Sequence, residues 1–278
     1  MQITCPTCGP AAPRNDFGRR SGFALARCGD CGLVFLDHVD ETVNDAFFQD
    51  TAKDNAVPAQ ENAIEYWSFP NLYEKHRHVF DGFFDERLRR LRALKPEIRN
   101  LLDVGCGYGL FLNHVSGVIP DVQGIELDPN VADYARKAYG LEIGTAPIER
   151  FTTDRHFDVI TMCDVLEHLA DPLPVLEKCR SLLTDDGVLM IQVPNMLGFK
   201  VPYGHSWGLP HHIWQFSTPS LKRMLEKTGF RVVARHTGVM GVVGVYEHGG
   251  PTLGDRLAWW AGRHLGIGNR LMMFACPR

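Results

Sequence analysis

Apolar residues in this chain fall into short runs and helical stripes, not into one long block. Leu101–Val104, Phe157–Met162, Val188–Val193, Arg231–His236 and Asn269–Cys276 are short runs bounded by Gly, Pro or charged residues, the pattern of buried strands. Between them lie helical patterns. Phe80, Phe84, Leu88 and Leu91 predict one helix from about Tyr73 to Leu94, ended by Pro96, with its Arg and Asp/Glu side in solvent. Asp128 with Pro129 predicts a capped helix over Pro129–Tyr139, and a further helix is expected over 171–183. Thr218-Pro219 opens another that runs to Gly229. Strands alternating with helices predict an α/β fold with a doubly wound, mostly parallel sheet. No apolar run approaches the roughly 18 residues of a membrane span.

The front of the chain departs from this alternation. Cys5-x2-Cys8 is followed, 19 residues on, by Cys28-x2-Cys31, and each pair is followed by Gly. A two-residue spacer turns both thiolates of a pair toward one ion, and two such pairs complete a tetrahedral four-thiolate zinc site. Phe23–Arg27 and Leu33–Leu36 read as short strands around the second pair. Residues 1–40 are therefore expected to form a zinc ribbon, too small to fold without its metal and with no coordination position open for catalysis. The ribbon carries four Arg and four Asp, and the whole 278-residue chain has 29 Lys plus Arg against 33 Asp plus Glu. That balance argues against a nucleic-acid or anionic-membrane partner. The first residues lack a charged segment followed by an apolar one, so no signal peptide and a cytoplasmic, reducing location are expected. Residues 41–95 are expected to be a helical connector and lid, and 96–278 the main domain.

A cofactor corner is legible at Leu101-Leu102-Asp103-Val104-Gly105-Cys106-Gly107-Tyr108-Gly109. An apolar strand delivers a glycine turn into a helix, the ligand-binding corner of doubly wound sheets. The glycines stand one residue closer together than the G-x-G-x-x-G of dinucleotide binders requires, which favours a compact ligand over a pyrophosphate. Asp103 can receive a cation. About 20 residues on, Gln123-Gly124-Ile125-Glu126 is a second strand ending in an acid able to accept hydrogen bonds from two ribose hydroxyls.

Leu102-Asp103-Val104-Gly105-Cys106-Gly107-Tyr108-Gly109, Gly124-Ile125-Glu126-Leu127-Asp128-Pro129, Phe157-Asp158-Val159-Ile160 with Val165-Leu166-Glu167-His168-Leu169, and Asp186-Gly187-Val188-Leu189-Met190-Ile191-Gln192-Val193-Pro194-Asn195 occur in that order. In them the chain, over about residues 70–278, resembles the class I S-adenosylmethionine-dependent methyltransferases, closest to the ubiquinone-biosynthesis-like branch. With its ribbon it is also similar to zinc-containing sugar methyltransferases and to a group of rRNA guanine methyltransferases. The resemblance implies a seven-stranded Rossmann-like sheet whose last strand, Asn269–Cys276, is antiparallel. It implies that Asp103, Gly105, Gly107 and Gly109 hold the methionine part of the cofactor and Glu126 the ribose. The Asp that many members place near the adenine is absent, which leaves Gly144-Thr145-Ala146, through the backbone of Thr145 and Ala146, or Glu149. Cys163 is also counted among the cofactor positions, although Cys106, Cys163, Cys179 and Cys276 lack metal-ligand spacing and read as thiols.

The acceptor is expected at residues 194–217, a segment too long for an ordinary connection. It holds Phe199, Tyr203, Trp207, Trp214, Phe216 and three histidines, His205, His211 and His212. The aromatics either stack on the acceptor or close the core. His211-His212-Ile213-Trp214-Gln215-Phe216-Ser217 is similar to a Glu-His-x-x-Tyr-Phe-Ser segment of the sugar enzymes. That similarity makes His212 the expected base, followed by His211 and His168. Asp164, Glu167 and His168, at i, i+3 and i+4 of a helix start, could together hold a divalent ion, or could simply orient that helix; the second reading is favoured. The insert 238–268 is read as a packing helix or, alternatively, a homodimer contact. The expected function is methyl transfer to a small-molecule or sugar-like acceptor. The alternatives are an RNA-modifying methyltransferase and a non-catalytic cofactor-binding module.

Overall fold

A computed structural model describes residues 2–38, 69–198, 207–238 and 253–278. The expectations for 41–68, for Phe199, Tyr203 and His205, and for 239–250 lie outside the described residues. The chain divides into two compact units, one of Asp45–Thr161 with Leu182–Val188, the other of Met1–Asn44, Met162–Ser181 and Leu189–Arg278.

The first unit begins with α1 (Phe69–Lys75) and α2 (Arg77–Leu94). Sequence spacing predicts one helix here. The structure breaks it at His76, whose backbone leaves helical geometry and whose side chain makes no cap. No Gly or Pro explains that break. Phe84, Leu88 and Leu91 are buried as their spacing requires, and the Phe84 ring lies 5.6 Å from that of Phe111. The polar face is not wholly in solvent, however. Arg87 is buried, with its guanidinium over the rings of Phe84 and Phe111.

Next come β4 (Asn100–Val104), α3 (Leu110–Ser116), β5 (Asp121–Ile125), α4 (Pro129–Tyr139) and β6 (Glu142–Gly144). β4 pairs parallel with β5, and β5 with β6, so that Asp103 lies opposite Gly124 and Val104 opposite Ile125. α4 starts where the sequence places it. The Asp128 carboxylate accepts hydrogen bonds from the Asn130 and Val131 N–H groups, satisfying donors that a helix start leaves open. β7 (Phe157–Cys163) follows, with Met162 and Cys163 grouping in the other unit.

The second unit contains β1 (Arg14–Arg20), β2 (Phe23–Cys28) and β3 (Val34–Leu36). It also contains α5 (Pro172–Leu182), apart from its last residue, and β8 (Leu183–Pro194) from Leu189 on. β9 (Trp214–Gln215), α6 (Thr218–Lys227), β10 (Phe230–Gly238), α7 (Leu253–His264) and β11 (Arg270–Pro277) complete it. The seven-stranded sheet has the order β10-β11-β8-β7-β4-β5-β6. β11 is antiparallel to both β8 and β10, as the resemblance implies. α6 is capped one residue earlier than expected, by a capping box between Ser217 and Ser220. No helix among the described residues is long and apolar enough to cross a membrane.

The small sheet has the order β1-β2-β3-β9. Its fourth strand comes from the expected acceptor segment: Val34 pairs with Gln215 and Phe35 with Trp214. By compactness Met1–Asn44 groups with Met162–Ser181 and Leu189–Arg278. Two side chains of α6 fasten it. Lys227 Nζ donates to the carbonyls of Pro6 and Thr7, and Arg223 to that of Asp30. These carbonyls lie inside the two Cys-x2-Cys spacers.

Candidate functional site

The cofactor corner is built at the carboxyl end of β4. Asp103 is buried, and its Oδ1 accepts a 2.6 Å hydrogen bond from Thr161 Oγ1. Burial pushes its carboxyl up to about 6, against the Thr161 hydrogen bond and the Arg87 charge, which lower it. Gly105, Gly107 and Gly109 all have positive φ (72°, 54° and 74°), so the turn takes a path closed to most side chains. The glycines differ in what surrounds them. A Cβ on Gly107 would meet nothing within 4 Å, whereas one on Gly109 would run into Leu141 and Ala135. Gly107 leaves open space for a ligand; Gly109 is small because α4 packs against it.

Glu126 joins the two corners. Its Oε2 accepts the Gly107 N–H at 2.9 Å, and its Oε1 the Asp128 N–H at 2.9 Å. Burial raises its pKa, and backbone donors from Asp128 and Gly107 oppose the rise. Leu127 N–H is a third backbone donor to this carboxylate, which has about four acceptor sites and so keeps capacity for a ligand hydroxyl. Thr145 and Ala146 follow β6 and are exposed, while Cys163 is the half-buried last residue of β7.

Asp164, Glu167 and His168, for which orienting a helix is the favoured reading over holding an ion, do not form one ligand cluster. Residues 166–168 form a single 3-10 turn, not the start of a helix. Asp164 has a φ of 55° and is engaged elsewhere: its carboxylate accepts from Gln192 Nε2 at 2.7 Å and lies 3.0 Å from Arg270 Nε. His212 takes its place. Ligand-capable atoms of Glu167, His168 and His212 lie within 4.8 Å of one another. The rings of His168 and His212 meet edge-to-face at 4.6 Å. His168 Nδ1 lies 3.1 Å from the His211 carbonyl oxygen. A carbonyl can only accept, so Nδ1 carries the hydrogen and Nε2 keeps its lone pair. Burial lowers the His168 pKa to about 4, leaving the ring neutral near pH 7. Glu167 is fully buried, and neither carboxylate oxygen has a hydrogen-bond partner. Burial first, then the charge of Asp164, pushes its pKa well up.

His212 is held in part by Gly208, which sequence reasoning passed over. Its N–H donates to the Gly208 carbonyl at 2.7 Å, and a Cβ on Gly208 would lie 2.2 Å from its Nδ1. Gly208 also has a φ of 60°. The Gln215 amide donates to the carbonyls of Trp207 and His212. Ile213 N–H donates to the Glu167 carbonyl, and Ile213 carbonyl accepts from Leu36 N–H of the ribbon. Two of the segment's aromatics close the core instead of lining a pocket. Trp214 and Phe216 are buried, and the Trp214 indole N–H donates to the Leu169 carbonyl at 2.7 Å. His211 is exposed and contributes its carbonyl.

The four front cysteines converge. Their Sγ atoms lie within 4.8 Å of one another, with Cys5 and Cys31 3.5 Å apart. Gly9 N–H donates to the Cys5 carbonyl and Gly32 N–H to that of Cys28, so the two knuckles have the same turn. Their protons are unevenly shared. The Cys31 hydrogen bond holds Cys5 down to about 5, and burial pushes Cys8 up to about 11. Four thiolates at this spacing suit one tetrahedral soft cation.

The sheet order, the glycine turn and the acid at the end of β5 define the class I S-adenosylmethionine-dependent methyltransferase fold. The chain belongs to the family described as "Methyltransferase domain", which matches residues 73–235. It is similar to the ubiquinone biosynthesis O-methyltransferase of Actinobacillus pleuropneumoniae serotype 7, with 36% identity over 108 residues, covering 35% of this chain and 46% of that protein. The Bordetella avium enzyme of the same name is 32% identical over 141 residues, covering 48% and 57%. The chain thus spans about half the length of the curated relatives it matches. Among solved structures it is similar to S-adenosylmethionine-bound CalS10, an amino pentose methyltransferase from Micromonospora echinaspora. The TM-score is 0.53 at 16% identity, over 81% of this chain and all of that one. A methyltransferase from Clostridium acetobutylicum gives 0.53 at 12% identity, over 76% and 98%. These last two likenesses concern the fold.

Proposed function

We propose that the chain is an S-adenosylmethionine-dependent methyltransferase acting on a small-molecule or sugar-like acceptor. The observation that carries this reading is Glu126, whose carboxylate is fixed between the glycine turn and the helix cap with lone pairs left for a ribose. In this reading Asp103 receives the methionine ammonium, and Gly105, Gly107 and Gly109 let the backbone approach. The Glu126 carboxylate takes the ribose hydroxyls, and the backbone at Thr145 and Ala146, with Cys163, lies beside the base. S-adenosylmethionine supplies a methyl already activated by a sulfonium, so the protein's work is alignment of the acceptor and exclusion of water. The acceptor-side groups are Glu167, His168 and His212, and His211 serves them through its carbonyl. A structural zinc ion on Cys5, Cys8, Cys28 and Cys31 completes the ribbon, which holds β9 next to His212 in sequence. The near-neutral ribbon favours a small acceptor over RNA. The bound location expected for such a reaction is the cytoplasm.

The test is transfer of a radiolabelled methyl from S-adenosylmethionine into fractionated host metabolites and, separately, into RNA. Label in a small polar fraction is the expected result. Label in RNA alone, with binding that falls steeply as salt rises, would favour the RNA-modifying alternative. Cofactor binding with no label anywhere would favour the binding module.

A further inference from the structure

We propose that Arg270, oriented by Asp164, binds a carboxylate carried by the methyl acceptor and so selects an acidic acceptor. That the carboxylate belongs to a methyl acceptor rests on the methyltransferase reading; the arginine site stands on its own geometry. Arg270 opens β11, and the antiparallel register sets it opposite Pro194, the last residue of β8. The segment expected to carry the acceptor begins at that proline, and sheets of this kind bind their ligands at the carboxyl ends of the strands. Asp164 directly follows β7, the strand beside β8. Its backbone is left-handed, with a φ of 55°, a conformation that side chains other than glycine seldom adopt. Among the described residues outside glycine only Ser21, in the turn between β1 and β2, shares it. Asp164 N–H donates to the Gln192 carbonyl at 2.8 Å, and Gln192 Nε2 donates to Asp164 Oδ2 at 2.7 Å. Held this way, the second carboxylate oxygen, Oδ1, reaches Arg270 Nε at 3.0 Å.

A purely structural ion pair would use the guanidinium fork. This one leaves it open. Arg270 Nε and Asp164 Oδ1 are buried and in charge contact, but they are not aligned as a hydrogen bond. None of the five side-chain N–H donors of Arg270 is hydrogen-bonded to the described residues. Nε is its one buried unpaired nitrogen, so Nη1 and Nη2 form an accessible fork on a side chain that is 28% exposed. Such a fork matches the two oxygens of a carboxylate. Charge favours a carboxylate over a phosphate. Asp164 already offsets the guanidinium, and a dianion would meet more repulsion from it than a monoanion does. Glu167 adds none. Burial first, then the charge of Asp164, pushes its pKa well up, so it stands neutral. The Arg270 charge acts on Glu167 in the opposite direction, which puts the guanidinium within electrostatic reach of the acceptor cluster.

The first measurement uses methyl transfer. The full chain passes labelled methyl from S-adenosylmethionine into host metabolites, and the products are separated on an anion exchanger at neutral pH, before and after phosphatase treatment. The wild type is expected to label a retained product whose retention survives the phosphatase. Arg270→Gln is expected to raise KM for that acceptor by about tenfold to hundredfold, with kcat and S-adenosylhomocysteine affinity near wild type. Asp164→Asn should raise KM in the same direction and by less, because it acts only through Arg270. If Arg270→Gln does not fold, Arg270→Lys, which keeps the charge beside Asp164 and loses the fork, carries the same prediction. A neutral or cationic product, retention lost with the phosphatase, or an unchanged KM overturns the proposal. The second measurement needs no turnover. Phenylglyoxal modifies accessible arginines, and peptide mapping reads each one. Acetate is expected to slow modification of Arg270 and not that of Arg256, an exposed residue of α7. Protection by inorganic phosphate but not by acetate, or no protection at all, overturns the proposal. No labelled product, with acetate protection of Arg270 intact, overturns the methyltransferase reading instead.

Discussion

The glycine corner and the acceptor cluster are built in opposite ways. The corner is local: Asp103, the glycine turn and Glu126 lie within 24 residues, on adjacent strands β4 and β5 paired in parallel. Its geometry follows from strand, turn and helix start, so a spacing pattern identifies it. The acceptor cluster gathers Glu167 and His168 from a 3-10 turn and His212 from a segment pinned by the ribbon through β9 and Leu36. Such a cluster depends on contacts between distant segments, and its residues change partners freely without changing the local pattern.

That contrast governs what could be read from the sequence. The buried strands and the helix over Pro129–Tyr139 were legible because periodicity and caps are local, whereas the antiparallel direction of the last strand came only from the family resemblance. The pairing of the cysteines was legible because each knuckle is a four-residue turn. The partners of Asp164 were not, because they depend on Gln192 and Arg270 on β8 and β11. The buried state of Trp214 and Phe216 depends on the same long-range packing, and composition alone could not separate core aromatics from pocket aromatics. Gly208 gave no motif, since its role is the space it leaves for the His212 ring. Arg87 looked like any charged residue on a solvated helix face, and only tertiary structure puts it over two Phe rings.

The comparison breaks most severely at the ribbon. Structural zinc sites supply roughly 10–16 kcal/mol of apparent binding free energy, enough to decide whether a small module folds. Replacing Cys5 and Cys28 together with Ser is therefore expected to remove the ribbon zinc and the order of β9. Methyl transfer should fall to background while S-adenosylhomocysteine still binds. Elemental analysis with calorimetry reads both. Unchanged metal content in the double variant would remove the ribbon site, and loss of cofactor binding with the zinc would make the two regions one folding unit.

A smaller effect sharpens the corner itself. The folded-state pKa of Asp103 is raised, to about 6. The protonated carboxyl therefore stabilises the ligand-free fold below the unfolded value, and that contribution is lost as pH rises through about 6. Holding the methionine ammonium needs the ionised form, so cofactor affinity should move the other way. It is expected to weaken by up to about tenfold per pH unit below pH 6. Burial raises the Glu126 pKa as well. Calorimetry with S-adenosylhomocysteine between pH 5 and 8 measures it. Asp103→Asn should flatten the curve, and a wild-type affinity independent of pH across that range would exclude this role for Asp103.

The separation of the two regions is tested most directly by one crossed measurement, S-adenosylhomocysteine affinity and methyl-transfer rate in Glu126→Ala and His212→Ala. Glu126→Ala is expected to weaken cofactor binding by about 1–3 kcal/mol, the scale for losing hydrogen bonds to a charged group. His212→Ala is expected to leave that affinity nearly intact and to lower turnover at saturating cofactor by roughly 10²–10⁴, the range for a positioned catalytic group. Unchanged affinity in Glu126→Ala, or normal turnover in His212→Ala, would contradict the account.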